Sequence, residues 1–396
     1  MPQNPPIKST SYCEAFYKRA LVNLKRMPEK DRRLVQEFDH RCTADGLNPG
    51  TKANYISTLI RVRKALGKPF KEATREDIEK TLVKFAKKGY SDNTLALRRI
   101  QLKRFYKWLL GNDENYPPAV KWIKTRVKNN HLPHESLLSN NDIEKLAKAC
   151  TNPRDRAIVL VLAESGVRIG ELLNLKVGDV RFDEYGAIAT VSGKTGDRAV
   201  RLIASAPALA TWLDHHPDRD NPRASVLVNL KKGTPLSYFG AHWMIKTLAE
   251  RAGIRKRVHP HGFRHSAATR LARLLTEAEM KQYLGWVQNS KMAGVYVHLS
   301  SRDVDKSMLR IHGLITEEED KERKFTAIKC HRCKEMNSPG TNLCAKCGLP
   351  LTFEAAKEID EKLAFKRALL EKVKQMPEFE KLKELIDALG EKLLAE

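Results

Sequence analysis

Between His261 and Tyr296 runs HGFRHSAATRLARLLTEAEMKQYLGWVQNSKMAGVY, a stretch whose side chains suit attack on a phosphodiester. Arg264 carries the planar fork that grips two phosphate oxygens. His261 and the indole N–H of Trp286 can donate to oxygens on which charge develops. Tyr296 offers a hydroxyl able to become a covalent nucleophile. Each piece alone is common, because H-x-x-R occurs on many helices and a tyrosine after a tryptophan ordinarily packs a core. The further cations that such chemistry needs stand upstream. Arg168 follows the Ser165-Gly166 turn between apolar residues, where a partly buried guanidinium needs an anionic partner. Glu171, one turn on, makes the two either a structural ion pair or a phosphate clamp steadied by a carboxylate. Lys194 stands in Gly-Lys-Thr-Gly-Asp between two β-prone runs, at the tip of a hairpin. A tip lysine is usually idle, but one that reaches a phosphodiester can protonate a leaving 5′-oxygen.

The elements that must carry these residues are mostly helical, so the fold class expected is mainly α with a small β-sheet. Residues 11–127 read as helices without a convincing strand. Starts are marked at Pro28-Glu29, at Asn48-Pro49-Gly50-Thr51 and by a capping box at Thr74-Arg75-Glu76-Asp77. Ser91-Asp92-Asn93 opens a further helix. Its expected buried face is Leu95, Leu97, Ile100, Leu102, Phe105, Trp108 and Leu109, and its basic face Arg98, Arg99, Lys103, Arg104 and Lys107. A basic linker, KWIKTRVKNNHLPHE, separates this domain from a second at 135–315. There a cap at Ser139, a buried helix over 156–164 and a helix beginning at 167–173 precede the β signal of 187–203. Helices over 207–215 and 236–252 follow, and Asp303 to Leu314 reads as a last short one.

Charge points to the partner. The chain of 396 residues has a formal net charge of +24. Residues 1–134 hold 29 Lys and Arg against 13 Asp and Glu, two-thirds of that excess. A basic helical face is often merely solvated, but this concentration favours phosphate contacts, with nucleic acid ahead of membrane. The polar, Pro-rich start MPQNPPIKST shows no signal pattern, and the apolar run at 157–163 is far too short to span a bilayer. A soluble, cytoplasmic, nucleoid-associated protein is therefore expected.

Of seven cysteines, Cys13, Cys42 and Cys150 are scattered. Cys330, Cys333, Cys344 and Cys347 form two C-x2-C knuckles that suit tetrahedral Zn²⁺ in a small ribbon at 325–352. With all four positions filled by protein, the metal is structural, and chelation is expected to unfold this module alone. Lys329, Arg332, Lys334 and Lys346 favour DNA as its ligand over another protomer or a host factor. Residues 353–396 read as amphipathic helices broken at Pro377, packing on the ribbon or self-associating.

In this order the boxes resemble those of the tyrosine recombinase (phage integrase) family. SGVRIGELLNL is similar to its first arginine box, KTGDRAVRL to its lysine hairpin and HGFRHSAATRL to its H-x-L-R-H box. LGW followed by VYVHLS resembles its His/Trp and nucleophile boxes. The resemblance covers roughly residues 11–315, and the phrase AGVYVHLSSRDVD is most similar to archaeal integrases. There are departures: Phe263 replaces the usual Leu, Trp286 the commoner His, and the gap to Tyr296 is one residue longer. The family implies a helical core-binding, SAM-like domain followed by a mixed α/β catalytic domain. It implies that Tyr296 attacks the scissile phosphate to give a 3′-phosphotyrosine and a free 5′-hydroxyl, without ATP or a catalytic metal. Arg168 and Arg264 would neutralise the non-bridging oxygens, with His265 and Trp286 as added donors and Glu171 steadying the arginines. His261 would be base or donor, and Lys194 the acid. A tetramer on two double-stranded DNA sites is implied, with residues 303–314 exchanged between neighbours and accessory proteins possible. A type IB-like relaxing or resolving enzyme shares this chemistry. A silent DNA-binding regulator shares the fold, but has no need of a buried tyrosine beside two arginines.

Overall fold

The computed structural model describes residues 9–111, 114–125, 136–193, 195–299, 308–309, 312 and 325–375. Lys194, most of 303–314 and the tail beyond 375 lie outside the described residues. The chain divides into two compact units, Met1–Glu135 and Ser136–Glu396.

Among the described residues the elements of the first unit are helices: α1 (Ser9–Leu24), α2 (Glu29–Ala44), α3 (Pro49–Leu66), α4 (Arg75–Lys87), α5 (Asp92–Leu110) and α6 (Pro118–Lys121). Local chemistry sets the starts. Asn48 accepts the Thr51 N–H at 2.9 Å, Thr74 and Asp77 form the expected capping box, and Ser91 caps α5. An aromatic centre holds the bundle together, with the Phe105 ring edge-on to Phe38 at 5.3 Å and to Phe70 at 4.9 Å.

The face of α5 differs from the one expected. Arg98, Gln101, Leu102, Phe105 and Tyr106 are buried, whereas Leu97 and Ile100 are exposed. Leu95, Leu102, Phe105, Trp108 and Leu109 do pack on the core as expected; the departures are Leu97, Ile100 and Arg98, which is long enough to bury its stem and lay its guanidinium 3.6 Å from the Tyr90 ring centroid. Arg98 therefore does not belong to a solvated basic face. Lys103 donates to the carbonyl of Ile123, and Arg104 to Asp45 at 2.8 Å. Lys107 lies 5.5 Å from the Tyr116 ring centroid, and among the described residues Arg99 makes no such contact.

In the second unit, α7 (Asn140–Ala149), α8 (Pro153–Ser165) and α9 (Ile169–Asn174) precede a three-stranded antiparallel sheet. Its strands are β1 (Val180–Asp183), β2 (Gly186–Gly193) and β3 (Gly196–Leu202). Then come α10 (Ala206–Asp214), α11 (Tyr238–Arg251), α12 (Pro260–Leu271), α13 (Glu277–Leu284) and α14 (Met292–Leu299). Helix α8 is the spine: Ala157 through Ala163 are all buried, so its apolar surface faces neighbours on every side. Its last carboxylate, Glu164, accepts the N–H groups of Ile203, Ala204 and Ser205 at 2.8–2.9 Å and so ties the end of β3 to the start of α10. Strand β1 has no apolar alternation, three of its four residues being exposed, and so gives no sequence signal.

The cysteine module comprises a two-stranded antiparallel pair, β4 (Ile328–Lys329) and β5 (Met336–Asn337), and then helix α15 (Phe353–Lys374). Its two knuckles repeat one backbone device. Lys334 and Gly348 adopt positive φ, and their N–H groups bond to the carbonyls of Cys330 and Cys344 at 3.0 and 2.9 Å.

Contrary to expectation, the module is not free-standing. Arg156 of α8 donates to Thr341 Oγ1 at 2.9 Å, and buried Ser338 accepts the Ala208 N–H at 3.0 Å. Ala208 is the third residue of α10, whose own N-cap residue, Ser205, makes no capping bond. Ser338 thus caps α10 from the cysteine module, satisfying one of its orphan donors.

Candidate active site

Helix α12 presents His261, Arg264 and His265 at i, i+3 and i+4, on one side of the helix. Arg264 is 3% exposed. It donates to the Gly166 carbonyl at 2.8 Å and to the Leu284 carbonyl at 2.6 Å. Gly166 ends α8 in the left-handed conformation, and a Cβ there would meet Ala267 at 2.9 Å, so glycine answers both demands.

Arg168 sits at the N-cap of α9. It donates from Nη1 to Glu171 Oε1 at 2.7 Å and from Nη2 to the Gly285 carbonyl at 3.1 Å. Its own backbone N–H is held by Glu171 Oε2 at 2.9 Å. A third arginine, absent from the sequence reading, completes the group. Arg198 on β3 donates to Glu171 Oε2 at 2.8 Å and to the Tyr283 carbonyl at 2.8 Å, and its Nη1 is buried without a partner among the described residues. The signal for it was available: Arg198, Val200 and Leu202 alternate along β3 with Asp197 and Ala199, the apolar pair being buried, so Arg198 stands at an inward-facing position.

Carbonyls of the consecutive residues Tyr283, Leu284 and Gly285 thus accept from Arg198, Arg264 and Arg168 in turn. They belong to the C-terminal turn of α13, where carbonyls lack helical partners and the helix dipole favours cations. Gly285 permits the approach; a Cβ there would meet Arg198 Nη1 at 2.7 Å. The β2–β3 tip closes on the same place. A Cβ on Gly193 would meet Glu171 Oε1 at 2.5 Å, and Thr195 donates to the Gly285 carbonyl at 3.2 Å. Lys194, between these two, is outside the described residues.

Tyr296, on α14, is 2% exposed. Its ring stacks on Trp286 with centroids 5.6 Å apart and planes 5° from parallel, and its hydroxyl meets Nδ1 of His265 at 2.5 Å. Trp286 also lies under Arg264, 5.5 Å from the guanidinium carbon. Among the described residues the indole N–H of Trp286 bonds to nothing. His261 is exposed at the open side of the cluster, its ring edge-on to His265 at 4.4 Å. Tyr283 is core: its hydroxyl donates to the Arg201 carbonyl at 2.9 Å.

Burial governs the electrostatics. It raises the Tyr296 phenol to about 12, with Arg264 opposing, so the hydroxyl is un-ionised at neutral pH. Burial and then His261 bring His265 down to about 4, and partial desolvation and Arg264 also lower His261. Burial and Arg168 depress Arg264 to about 10, which leaves it charged. Burial pushes Glu171 up, but the bonds from Arg198 and Arg168 outweigh it and hold the carboxylate below its usual range.

In the cysteine module the four Sγ atoms lie within 4.8 Å of one another. Cys330–Cys347 and Cys333–Cys344 are 3.6 and 3.5 Å apart, near the edge of about 3.8 Å that Zn–S bonds of about 2.3 Å imply for a tetrahedron.

Known proteins resemble this chain in both units. The Phage integrase family matches residues 136–302, and the Phage integrase N-terminal SAM-like domain matches residues 34–115. Tyrosine recombinase XerC of Haemophilus ducreyi is 27% identical over 274 residues, 66% of this chain and 87% of the relative. Among solved structures, the XerH site-specific recombinase bound to palindromic difH substrate aligns with a TM-score of 0.55 at 16% identity, over 78% of this chain and 98% of that one. A lambda integrase tetramer bound to a Holliday junction aligns with a TM-score of 0.54 at 15% identity, over 65% and 78%.

Proposed function

Because the chain belongs to the phage integrase family of tyrosine recombinases, we propose that it cleaves and rejoins DNA at specific sites with Tyr296 as the nucleophile. One observation carries the assignment of the site. Arg168, Arg198 and Arg264 converge where, among the described residues, Glu171 is the one carboxylate bonded to them. A buried cluster with spare positive charge is costly unless an anion completes it. The cluster is open on the side where Arg168, with its side chain 36% exposed, and His261 reach solvent, and a phosphodiester enters there.

The Tyr296 oxygen attacks phosphorus, the bond to the 5′-oxygen breaks, and a 3′-phosphotyrosine remains. A 5′-hydroxyl from a partner strand reverses the step, so bond energy is conserved. Arg168 and Arg264 hold the non-bridging oxygens, and His261 and the unused Trp286 N–H donate as charge grows. Lys194, carried between Gly193 and Thr195, is assigned as the acid that protonates the leaving 5′-oxygen.

Cys330, Cys333, Cys344 and Cys347 are assigned as a closed structural Zn²⁺ site that takes no part in the chemistry. A tetramer on two duplexes is the working assembly we favour, by analogy with the lambda integrase structure. In the first unit, Arg99 and Lys107 are the α5 cations best placed for phosphate. Accessory proteins remain compatible with this scheme.

The test is a suicide substrate, nicked near sites in the DNA flanking the gene. A covalent adduct on a denaturing gel, present for wild type and absent for Tyr296→Phe, is the expected result. An adduct surviving in that variant would remove Tyr296 from the role.

A further inference from the structure

Two histidines one helical turn apart face the same site, and by spacing alone either could serve the tyrosine. The geometry separates them. We propose that His265, not His261, accepts the Tyr296 proton as the tyrosine attacks, an assignment that rests on the reading of Tyr296 as nucleophile. The Tyr296 hydroxyl meets His265 Nδ1 at 2.5 Å, whereas His261 contacts His265 edge-on and has no bond to the hydroxyl.

For the phenol to donate, Nδ1 must carry a lone pair, so the neutral ring holds its proton on Nε2. The surroundings enforce this state. On its own side His265 faces His261, His259 and Arg264, all cationic or able to become so, and among the described side chains of α14 it faces Tyr296. Burial is the largest contribution, and together these keep the ring un-ionised well below neutral pH. Trp286, stacked flat on the phenol, holds the hydroxyl on the histidine.

With Tyr296 near 12 and His265 near 4, the proton stays on oxygen in the resting protein. It moves only as bonding to phosphorus strips the phenol oxygen of its basicity. In that step the Oη lone pair forms the Oη–P bond and the Oη–H proton passes to Nδ1. The P–O5′ bond breaks, and the 5′-oxygen takes a proton from the acid on the other side. The imidazolium so formed sits beside Arg264, which is unfavourable until the phosphodiester anion lies between them. The base therefore works only with DNA in place, and no idle phenolate forms.

The experiment uses the full chain on the suicide substrate under single-turnover conditions, with His265→Gln, His265→Asn, His261→Gln and Tyr296→Phe. An amide can accept the phenol hydrogen bond but cannot take its proton. Both His265 variants should bind DNA as wild type does and cleave roughly 10²–10⁴-fold more slowly. Their rate should rise about tenfold per pH unit, because hydroxide must now do the work, whereas wild type shows no such slope between pH 6 and 9. A 5′-bridging phosphorothiolate, whose sulfur leaves without a proton, should not rescue them. Cleavage within about threefold of wild type, rescue by the phosphorothiolate, or the pH slope in His261→Gln instead would overturn the assignment. If His265→Gln fails to fold, His265→Asn and the His261→Gln profile decide the matter in the same way. An adduct formed by Tyr296→Phe would indict the nucleophile itself rather than its base.

Discussion

The two units of this chain bury arginines for opposite ends. In the first, Arg98 lies over Tyr90 and Phe85, and Arg63 pairs with buried Asp31. These groups finish a core. In the second, Arg168, Arg198 and Arg264 are anchored by carbonyls of one helix end, and among the described residues one carboxylate, Glu171, pairs with two of them, so they are held in place but not neutralised. Burial of one charge does not by itself mark a site, since Arg98 too has no carboxylate partner among the described residues; the convergence of three guanidinium groups around one carboxylate does. The comparison breaks or sharpens with variants that act on each kind of arginine.

The largest effect belongs to Arg264. A lysine there cannot keep the bonds to Gly166 and Leu284 and also offer two donors to a phosphate. Arg264→Lys should slow covalent adduct formation by roughly 10²–10³-fold, with DNA affinity little changed. Single-turnover cleavage against a filter-binding isotherm measures both, and a loss below tenfold would mean that the cluster is not the phosphate seat.

Arg198 acts through others. Losing it should misplace Glu171, and with it Arg168, so Arg198→Lys should cost up to about 10²-fold in cleavage at constant affinity. A merely structural arginine would lower the melting temperature and leave the cleavage rate at 20 °C alone. Titration gives a second reading. Glu171 is held below its ordinary 4.5, so its contribution to stability is complete at neutral pH and is lost only as pH falls through that depressed value. Without Arg198 the carboxylate should protonate at higher pH, moving the onset of acid unfolding upward.

Arg156 is a third kind of arginine, one that joins two parts of a unit. Through it and Ser338 the cysteine module holds α8 and α10. Chelation should therefore lower the melting temperature of the whole second unit by several degrees rather than melt the module alone. Ser338→Ala should cost about 1 kcal/mol in metal-loaded protein and nothing after chelation. Calorimetry with and without chelator measures this. An unchanged main transition would restore an independent module.

What the sequence made legible was chemistry carried by local spacing. His261, Arg264 and His265 fall on one helix side by period alone, and the β2–β3 hairpin is local too, a two-residue connection pairing Gly193 with Gly196. The caps at Asn48, Thr74, Ser91 and Ser139 are equally local. What escaped was tertiary. Nothing in α5 betrays that aromatic rings draw Arg98 inward, and nothing near Ser338 announces that it caps a helix 130 residues away in sequence. Arg198 lies between, since strand alternation pointed it inward but only the fold supplied Glu171.

The smallest effect tests the first unit, where charge was the only guide. Arg98 and Arg99 are adjacent, yet one is buried under aromatic rings and the other is half-exposed without a hydrogen bond, ion pair or ring contact among the described residues. Arg98→Met keeps the apolar stem and removes the cation; it should destabilise this unit by about 1 kcal/mol and leave the slope of log K against log salt unchanged. Arg99→Met should do the reverse, flattening that slope by roughly 0.9 if it holds one phosphate, with stability untouched. Binding measured across a tenfold range of salt separates the two. If both variants flatten the slope alike, Arg98 must leave its aromatic seat on DNA, and the distinction between arginines that finish a core and arginines that await a phosphate fails in this unit.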